Sequence, residues 1–240
     1  MVVFRAYLGS PKEIRPVKYE MAQTATRDEY LQAIWTLADD PASATGPVIS
    51  ARLAEFLGLS GASVSEMVHR LERDGLVRLN GRKEIVLTEP GTALAAAIVR
   101  RHRLLERMLT DLLGYAWWAT HDEAERLEHA ISPEMERHLI ERLGDPATCP
   151  HGNPMPGRLR DPRSHPLERA GVGVTVVVDR IPDQFEHEPG FLRYLDEQGL
   201  RPGRTLLVAA RRDGALEIEI EGTRRSIRSD CDQKLWVRAP

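Results

Sequence analysis

Apolar positions recur at helical spacing through the first half of the chain and switch to strand-like alternation in the last third. In Thr26–Ala38 (TRDEYLQAIWTLA), Tyr30, Ile34, Leu37 and Ala38 share one stripe with Leu31 beside it, which predicts an amphipathic helix. DDPASATGP (39–47) reads as a loop. Ser50 is placed to cap a short helix through Leu57, and Gly58 ends it. After Leu59 and Ser60 a second helix is expected from about Gly61 to Asp74, stopped by Gly75. Val64, Val68, Leu71 and Met67 face its core, while Ser63, Ser65, Glu66, His69 and Arg73 face outward. Helix, short turn and second helix is the spacing of a helix-turn-helix. LVRLNGRKEIVLT (76–88) then gives two β-like runs around Asn80-Gly81, a pair that favours a type I′ turn. A hairpin in that place is a wing, and its polar, basic tip (Asn80, Gly81, Arg82, Lys83) suits phosphate contacts.

Thr88 opens a long helix that tolerates Pro90 in its first turn and is expected to end near Gly114. Two more helices follow, over 121–131 and 132–144. CPHGNPMPG (149–157) has the Gly/Pro content of a fixed irregular turn, and residues 158–170 read as a linker. From Gly171 the runs GVTVVVDRI, RTLLVAAR and ALEIEIEG, separated by turns such as Arg212-Asp213-Gly214, predict a small all-β barrel with a short helix around Phe191–Gln198. The expected fold is mainly α with small β parts. It comprises an arm (1–22), a winged helix-turn-helix DNA-binding domain (23–89), a helical domain (90–157), the linker (158–170) and the β domain (171–240).

The helix expected at 121–131 carries His121, Glu125, Glu128 and His129 at i, i+4, i+7 and i+8. At about 100° per residue these fall within roughly a 100° arc, apart from the apolar face of Ala124, Leu127, Ala130 and Ile131. The preceding helix adds His102 and Glu106 at i, i+4. One such His/Glu pair is ordinary solvated surface. Two helices that both carry one can hold a divalent metal between them. Carboxylates and imidazoles, with no thiolate or thioether, suit manganese or ferrous iron better than copper or structural zinc. Without an ion the clustered carboxylates repel, so binding can bias a two-state element.

A length of 240 residues and 42% hydrophobic content allow two or three small cores, and a net charge of −3 requires any DNA contact to come from a local patch. Cys149 and Cys231 form no C-x-x-C pair, which argues against a thiolate zinc cluster and fits a reducing cytoplasm. No apolar run is long enough for a membrane span, and the first residues lack a secretory h-region. Trp117 and Trp118 read as core or dimer interface, His151 as structural, and His69 and His138 as solvated. An enzyme is not expected, because H-E-x-x-H, a nucleophile elbow and a phosphate loop are all missing. The alternatives are a His/Glu metalloenzyme and a winged-helix regulator that answers an organic ligand.

TRDEYLQAIW, SARLAEFLGLSGASVSEMVHRLERDGLV, VLTEPGTALA, VRRHRLLERML, HDEAERLEHAIS and HGNPMPG, in that order, resemble the diphtheria toxin repressor family of metal-dependent regulators. The likeness spans about 26–157, and the last 70 residues look like the SH3-like (FeoA-like) domain of its longer members. The resemblance implies a cytoplasmic homodimer that binds a double-stranded DNA operator and represses metal uptake genes, with two metal sites per subunit. The primary site maps to Glu29, Glu125, Glu128 and His129, and the second to His102, Glu106 and His121. Asp183 and Glu186 are the corresponding choices in the β domain. Iron-type members have Met at position 29 and Cys at 125. The carboxylates here resemble the manganese transport regulators, so Mn2+ is the expected cofactor and Fe2+ the alternative. Gln32 stands where the short manganese regulators use a Glu ligand, so their binuclear arrangement does not map directly. Ser60, Ala62, Ser63, Ser65 and Glu66 match the family's DNA-contacting stretch, with Glu66 in place of a Gln; Arg82 and Lys83 join them from the wing. A carboxylate at 66 repels phosphate but can accept from cytosine N4.

Overall fold

The computed structural model describes residues 27–38, 46–212 and 215–240. The expected N-terminal arm, most of the 39–47 loop and the Asp213-Gly214 turn lie outside the described residues.

Helix α1 (Arg27–Ala38) buries Tyr30, Leu31, Ala33, Ile34 and Leu37, while Ala38, expected on the buried stripe, is exposed. Helices α2 (Ser50–Leu57) and α3 (Gly61–Arg73) form the helix-turn-helix. Gly58, at φ 65°, closes α2 in the left-handed conformation that glycine adopts at low cost. Ser50 is the first helical residue and gives no side-chain cap, because Ile49 occupies the capping position. Ser60 does cap α3, its hydroxyl accepting from the Ser63 N–H at 3.1 Å. Val64, Val68 and Leu71 turn inward onto Leu53 and the buried face of α1.

Strands β1 (Val77–Leu79) and β2 (Ile85–Leu87) pair antiparallel as the wing. Its tip is not a two-residue type I′ turn. Asn80 Oδ1 accepts from the N–H groups of Arg82 (2.9 Å) and Glu84 (3.0 Å), and Lys83 takes the left-handed conformation (φ 60°). A three-residue loop of this kind lets the Asn side chain replace the second positive φ.

Helix α4 (Glu89–Arg107), capped by Thr88, runs from the wing into the helical domain and packs against α1. Gly91 is required there, since a Cβ would lie 1.9 Å from the Leu76 carbonyl oxygen. The expected continuation to Gly114 becomes a π-helical turn, Met108–Leu112. Helix α5 (Thr120–Leu127) and α6 (Pro133–Leu143) complete this domain around Leu105, Leu109, Ala124 and Leu139. Helix α5 stops four residues earlier than its polar periodicity suggested. The chain must turn over 128–131 to reach Ser132, which caps α6.

Strand β3 (His165–Pro166) lies inside the stretch read as a linker and pairs with β8 (Trp236–Arg238). The remaining strands are β4 (Thr175–Arg180), β5 (Thr205–Arg212), β6 (Ala215–Ile220) and β7 (Thr223–Arg228). The six-stranded antiparallel sheet has the order β3-β8-β4-β5-β6-β7. Short helices α7 (Asp183–Glu186), α8 (Phe191–Gln198) and α9 (Cys231–Lys234) interrupt it. Phe191, Leu192 and Leu195 of α8 fill the core against Val176, Val178, Leu206, Val208 and Ile218. Each fully buried side chain of this size contributes about 1.5–3 kcal/mol, so each domain has an apolar core of its own.

Candidate metal centre

Between α4, α5, α7 and the 149–153 turn the interior is polar. Buried there are His102 and Glu106 from α4, His121 from α5, His151 from the turn and Glu186 from α7. Helical spacing puts His102 and Glu106 one turn apart on α4, with His102 Nε2 3.2 Å from Glu106 Oε1. His121 Nδ1 faces both, at 3.1 Å from His102 Nε2 and 3.3 Å from Glu106 Oε1. Glu186 Oε2 reaches the same ring nitrogen at 3.0 Å. The expected second-site trio therefore converges, and the β domain adds Glu186 as a fourth donor.

The other expected β-domain residue, Asp183, is committed elsewhere. Its carboxylate accepts from Arg103 Nη2 at 2.5 Å, and Arg103 is itself buried. His151, read from sequence as structural, also faces the cluster. Its Nδ1 lies 3.1 Å from Glu106 Oε1 and 3.3 Å from Glu186 Oε2. The turn that carries it depends on Gly152 (φ 91°), where a Cβ would meet the Asp179 carbonyl oxygen at 2.2 Å. A glycine flanked by a His and an Asn in a tight turn was the available signal. Asn153 then donates to Glu186 Oε1 at 2.6 Å and fixes that carboxylate.

The expected primary residues do not form one group. Glu128, at the end of α5, turns inward and lies 2.8 Å from His102 Nδ1. His129 is half-exposed beyond the helix, 3.4 Å from Glu128 Oε1. Glu125 faces His187, which follows α7, at 3.3 Å, and His121 Nε2 at 3.7 Å. Glu29 is half-buried on α1 and belongs to none of the convergent donor groups among the described residues.

Burial alone disfavours every charge in the cluster, by several kcal/mol per ion when unpaired. Pairing reverses this. Burial pushes Glu106 up, but His151 and His102 outweigh it and hold the carboxyl well below its usual range. Glu186 is brought down to about 2 against burial, chiefly by His151. Burial would lower His121, yet its hydrogen bonds to Glu106 and Glu186 raise it to about 9. His102 and His151 are likewise raised against burial, by Glu106 and Glu128 and by Glu186 and Glu106 respectively. Imidazolium–carboxylate pairs thus balance the charges of the cluster without an ion.

The donors fit a divalent ion. Glu106 Oε2 is buried without a hydrogen-bond partner, and adjacent donors lie 3.0–3.3 Å apart. Two ligands each about 2.1 Å from one ion are about 3 Å apart when adjacent in an octahedron. Cys149 lies beside the cluster, but burial and the nearby carboxylates push its thiol up to about 11. Without an ion it is a neutral thiol, and with Glu106 and His151 it forms a further group of converging donors.

The expected DNA-contacting residues are, with one exception, exposed. Ser60, Ala62, Ser63 and Glu66 on α3 are exposed and Ser65 is half-buried; Arg82 and Lys83 are exposed at the wing tip. His69 and His138 are solvated, with 60% and 61% of the side chain exposed. Trp117 is buried in the β-domain core, its Nε1 donating to the Pro150 carbonyl at 2.9 Å, and Trp118 is exposed. No helix among the described residues is long and apolar enough to cross a membrane.

Comparison with known proteins agrees with this division. Residues 23–85 match the iron dependent repressor N-terminal DNA binding domain. Residues 88–157 match the iron dependent repressor metal binding and dimerisation domain, and 165–239 match the FeoA domain. The iron-dependent repressor IdeR of Mycobacterium bovis is 36% identical over 209 residues, covering 82% of this chain and 89% of that protein. The diphtheria toxin repressor of Corynebacterium efficiens is 46% identical over 133 residues, 55% of this chain and 56% of that protein. A solved structure of a manganese-dependent transcriptional repressor in complex with manganese superposes with a TM-score of 0.79 at 36% identity, covering 90% of this chain and 100% of that one. The manganese regulator SloR gives 0.71 at 28% identity, covering 91% and 100%. With its DNA-binding helices, buried His/Glu cluster and FeoA domain in this order, the chain belongs to the iron-dependent (diphtheria toxin) repressor family of metal-dependent, DNA-binding transcriptional repressors.

Proposed function

We propose that the protein is a manganese-responsive repressor of metal-uptake genes that acts in the cytoplasm as a homodimer on a double-stranded operator. The observation that carries this reading is the chemistry of the donors. His102, Glu106, His121 and Glu186 offer only imidazole and carboxylate, and positions 29 and 125 are both Glu. A hard set of carboxylate and imidazole donors at these four residues favours manganese over softer or thiolate-seeking ions. The solved manganese-dependent repressor with a TM-score of 0.79 supports the same choice.

Two metal positions per subunit are part of the proposal. His102, Glu106, His121 and Glu186 would hold one ion, and Glu125 would belong to the other, although Glu29, Glu128 and His129, expected beside it, do not converge on it among the described residues. A bound divalent cation would supply two positive charges that offset carboxylate repulsion and would replace the imidazolium protons. The remaining roles belong to the protein. Glu186 joins the β domain to the helical domain, and Glu29 lies on the helix packed against α4, beside the DNA-binding unit. Fixing both relative to α4 sets the spacing of two recognition helices toward successive major grooves. Only a difference in affinity between the competent and incompetent arrangements is needed. Leu112, Leu113, Tyr115, Trp118 and Met135 of the helical domain are exposed large apolar side chains that dimer contact would bury.

The test is operator retention while Mn2+, anaerobic Fe2+ and Zn2+ are each added to metal-free protein. Manganese should restore binding at the lowest free concentration relative to its cellular availability. Activation by Fe2+ alone would assign the iron reading suggested by the names of the curated relatives.

A further inference from the structure

Outside the buried cluster a second set of donors converges. His121 Nε2, Glu125 Oε1 and His187 Nδ1 all lie within 4.8 Å of one another. His187 Nδ1 is 3.2 Å from His121 Nε2 and 3.3 Å from Glu125 Oε1. The His121 ring therefore presents its Nδ1 to the inner cluster and its Nε2 to this one. The His187 ring is held in place from two sides. It meets His121 edge-on at 4.5 Å between centroids and Phe56 of α2 edge-on at 5.0 Å. His187 belongs to the β domain, Glu125 to the helical domain and Phe56 to the helix-turn-helix.

We infer that His187 is a metal-binding residue: with Glu125 it forms an outer cation position, on the far side of the His121 ring from the inner one. This deepens the metal reading above and rests on it. The 3.3 Å between Glu125 and His187 is what a shared first-row ion imposes on adjacent ligands, since bonds of about 2.1 Å place them about 3.0–3.4 Å apart, while His121 Nε2 stands farther from Glu125, at 3.7 Å. Partial exposure of Glu125 and His187 (45% and 32% of their side chains) leaves a route for a hydrated ion and room for water ligands. Phe56 leans on the ring that completes the outer position, so its occupancy bears directly on α2 of the DNA-binding unit.

The experiment is Mn2+ titration of the full-length, metal-free protein, followed by equilibrium dialysis and by pulsed electron paramagnetic resonance of nitrogen couplings to manganese. The Glu125→Gln variant identifies the binding step that depends on Glu125. His187→Gln removes the ring, and His187→Phe keeps the aromatic contact with Phe56 while removing the nitrogens. Both His187 variants are expected to weaken the Glu125-dependent step by at least about tenfold and to remove one nitrogen coupling, leaving the inner step unchanged. Unchanged binding and couplings in both variants would overturn the inference, as would wild-type behaviour of His187→Phe alone, which would reduce His187 to a packing role. Failure of the wild type to bind any Mn2+ would instead overturn the metal reading on which the inference rests.

Discussion

His151 Nδ1 lies 3.1 Å from Glu106 Oε1, and neither side chain has any exposure to solvent. A turn after α6 thus supplies the charge that holds a carboxylate of α4, and Glu186 of α7 shares it at 3.3 Å. Replacing His151 by Ala leaves two buried carboxylates short of a counter-charge. Breaking a buried pair in this way costs about 3–5 kcal/mol. The urea midpoint of chelator-treated His151→Ala protein should fall accordingly, and excess Mn2+ should recover part of the loss. An unchanged midpoint without metal would remove His151 from the electrostatics of the cluster.

Metal uptake should be pH-dependent with a definite sign. A ligating imidazole must be neutral, yet His121 is raised to about 9 by its hydrogen bonds to Glu106 and Glu186, against burial. Mn2+ affinity should therefore climb between pH 6 and 9, with protons released on binding. The metal-free protein should do the reverse. A histidine raised in the folded state contributes stability that is complete below its unfolded value of about 6.5 and is lost as the pH passes its folded value. Glu186, brought down to about 2, contributes at the other end, and its share is lost as the pH falls from the ordinary carboxylate range through 2. Calorimetry in buffers of different ionisation enthalpy counts the released protons. Binding that is independent of buffer and pH would contradict the arrangement.

Asp183 pairs with Arg103. Its contact with the buried Arg103, which also donates to the Pro154 carbonyl oxygen, fastens α7 to α4. Asp183→Ala takes away the carboxylate facing a buried guanidinium, at a cost of about 3 kcal/mol or more. Glu186 should then be held less firmly, so inner-site affinity should fall together with the melting temperature. If affinity falls while stability is unchanged, Asp183 is acting as a ligand after all.

On the DNA face, Arg82→Ala and Lys83→Ala should each weaken binding about equally for all sequences and reduce the salt slope by about one. Glu66→Gln should behave differently. Removal of the exposed carboxylate should strengthen binding to non-operator DNA and change base preference at one operator position. Competition binding at several salt concentrations separates the two behaviours.

The sequence carried the layout of the molecule well wherever local spacing decided it. The Val64, Val68 and Leu71 stripe, the Thr88 cap and the Gly58 stop all act over a few residues, and each appears in the structure as expected. The His102, Glu106 and His121 group was equally legible, since two of its members are one helical turn apart. Periodicity misled at Glu128 and His129, because nothing in the polar pattern reports that the chain must turn toward Ser132. His151 and His187 were missed for another reason. Both sit in irregular segments, placed by the Gly152 approach to the Asp179 carbonyl and by the contact with Phe56, and these depend on residues far away in the chain. Asp183 and Glu186, three residues apart, are alike in the sequence, and what separates them is distant in the chain: Arg103 faces one and His121 the other.

The most direct test is operator binding by fluorescence anisotropy, comparing EDTA-stripped full-length protein with the same preparation reloaded with Mn2+ at constant ionic strength. Reloading should restore tight, saturable binding, and the stripped protein should retain only the weak, salt-sensitive association of any basic surface with DNA. Equal operator affinity in the two preparations would contradict the claim that the His/Glu centre controls the grip on DNA.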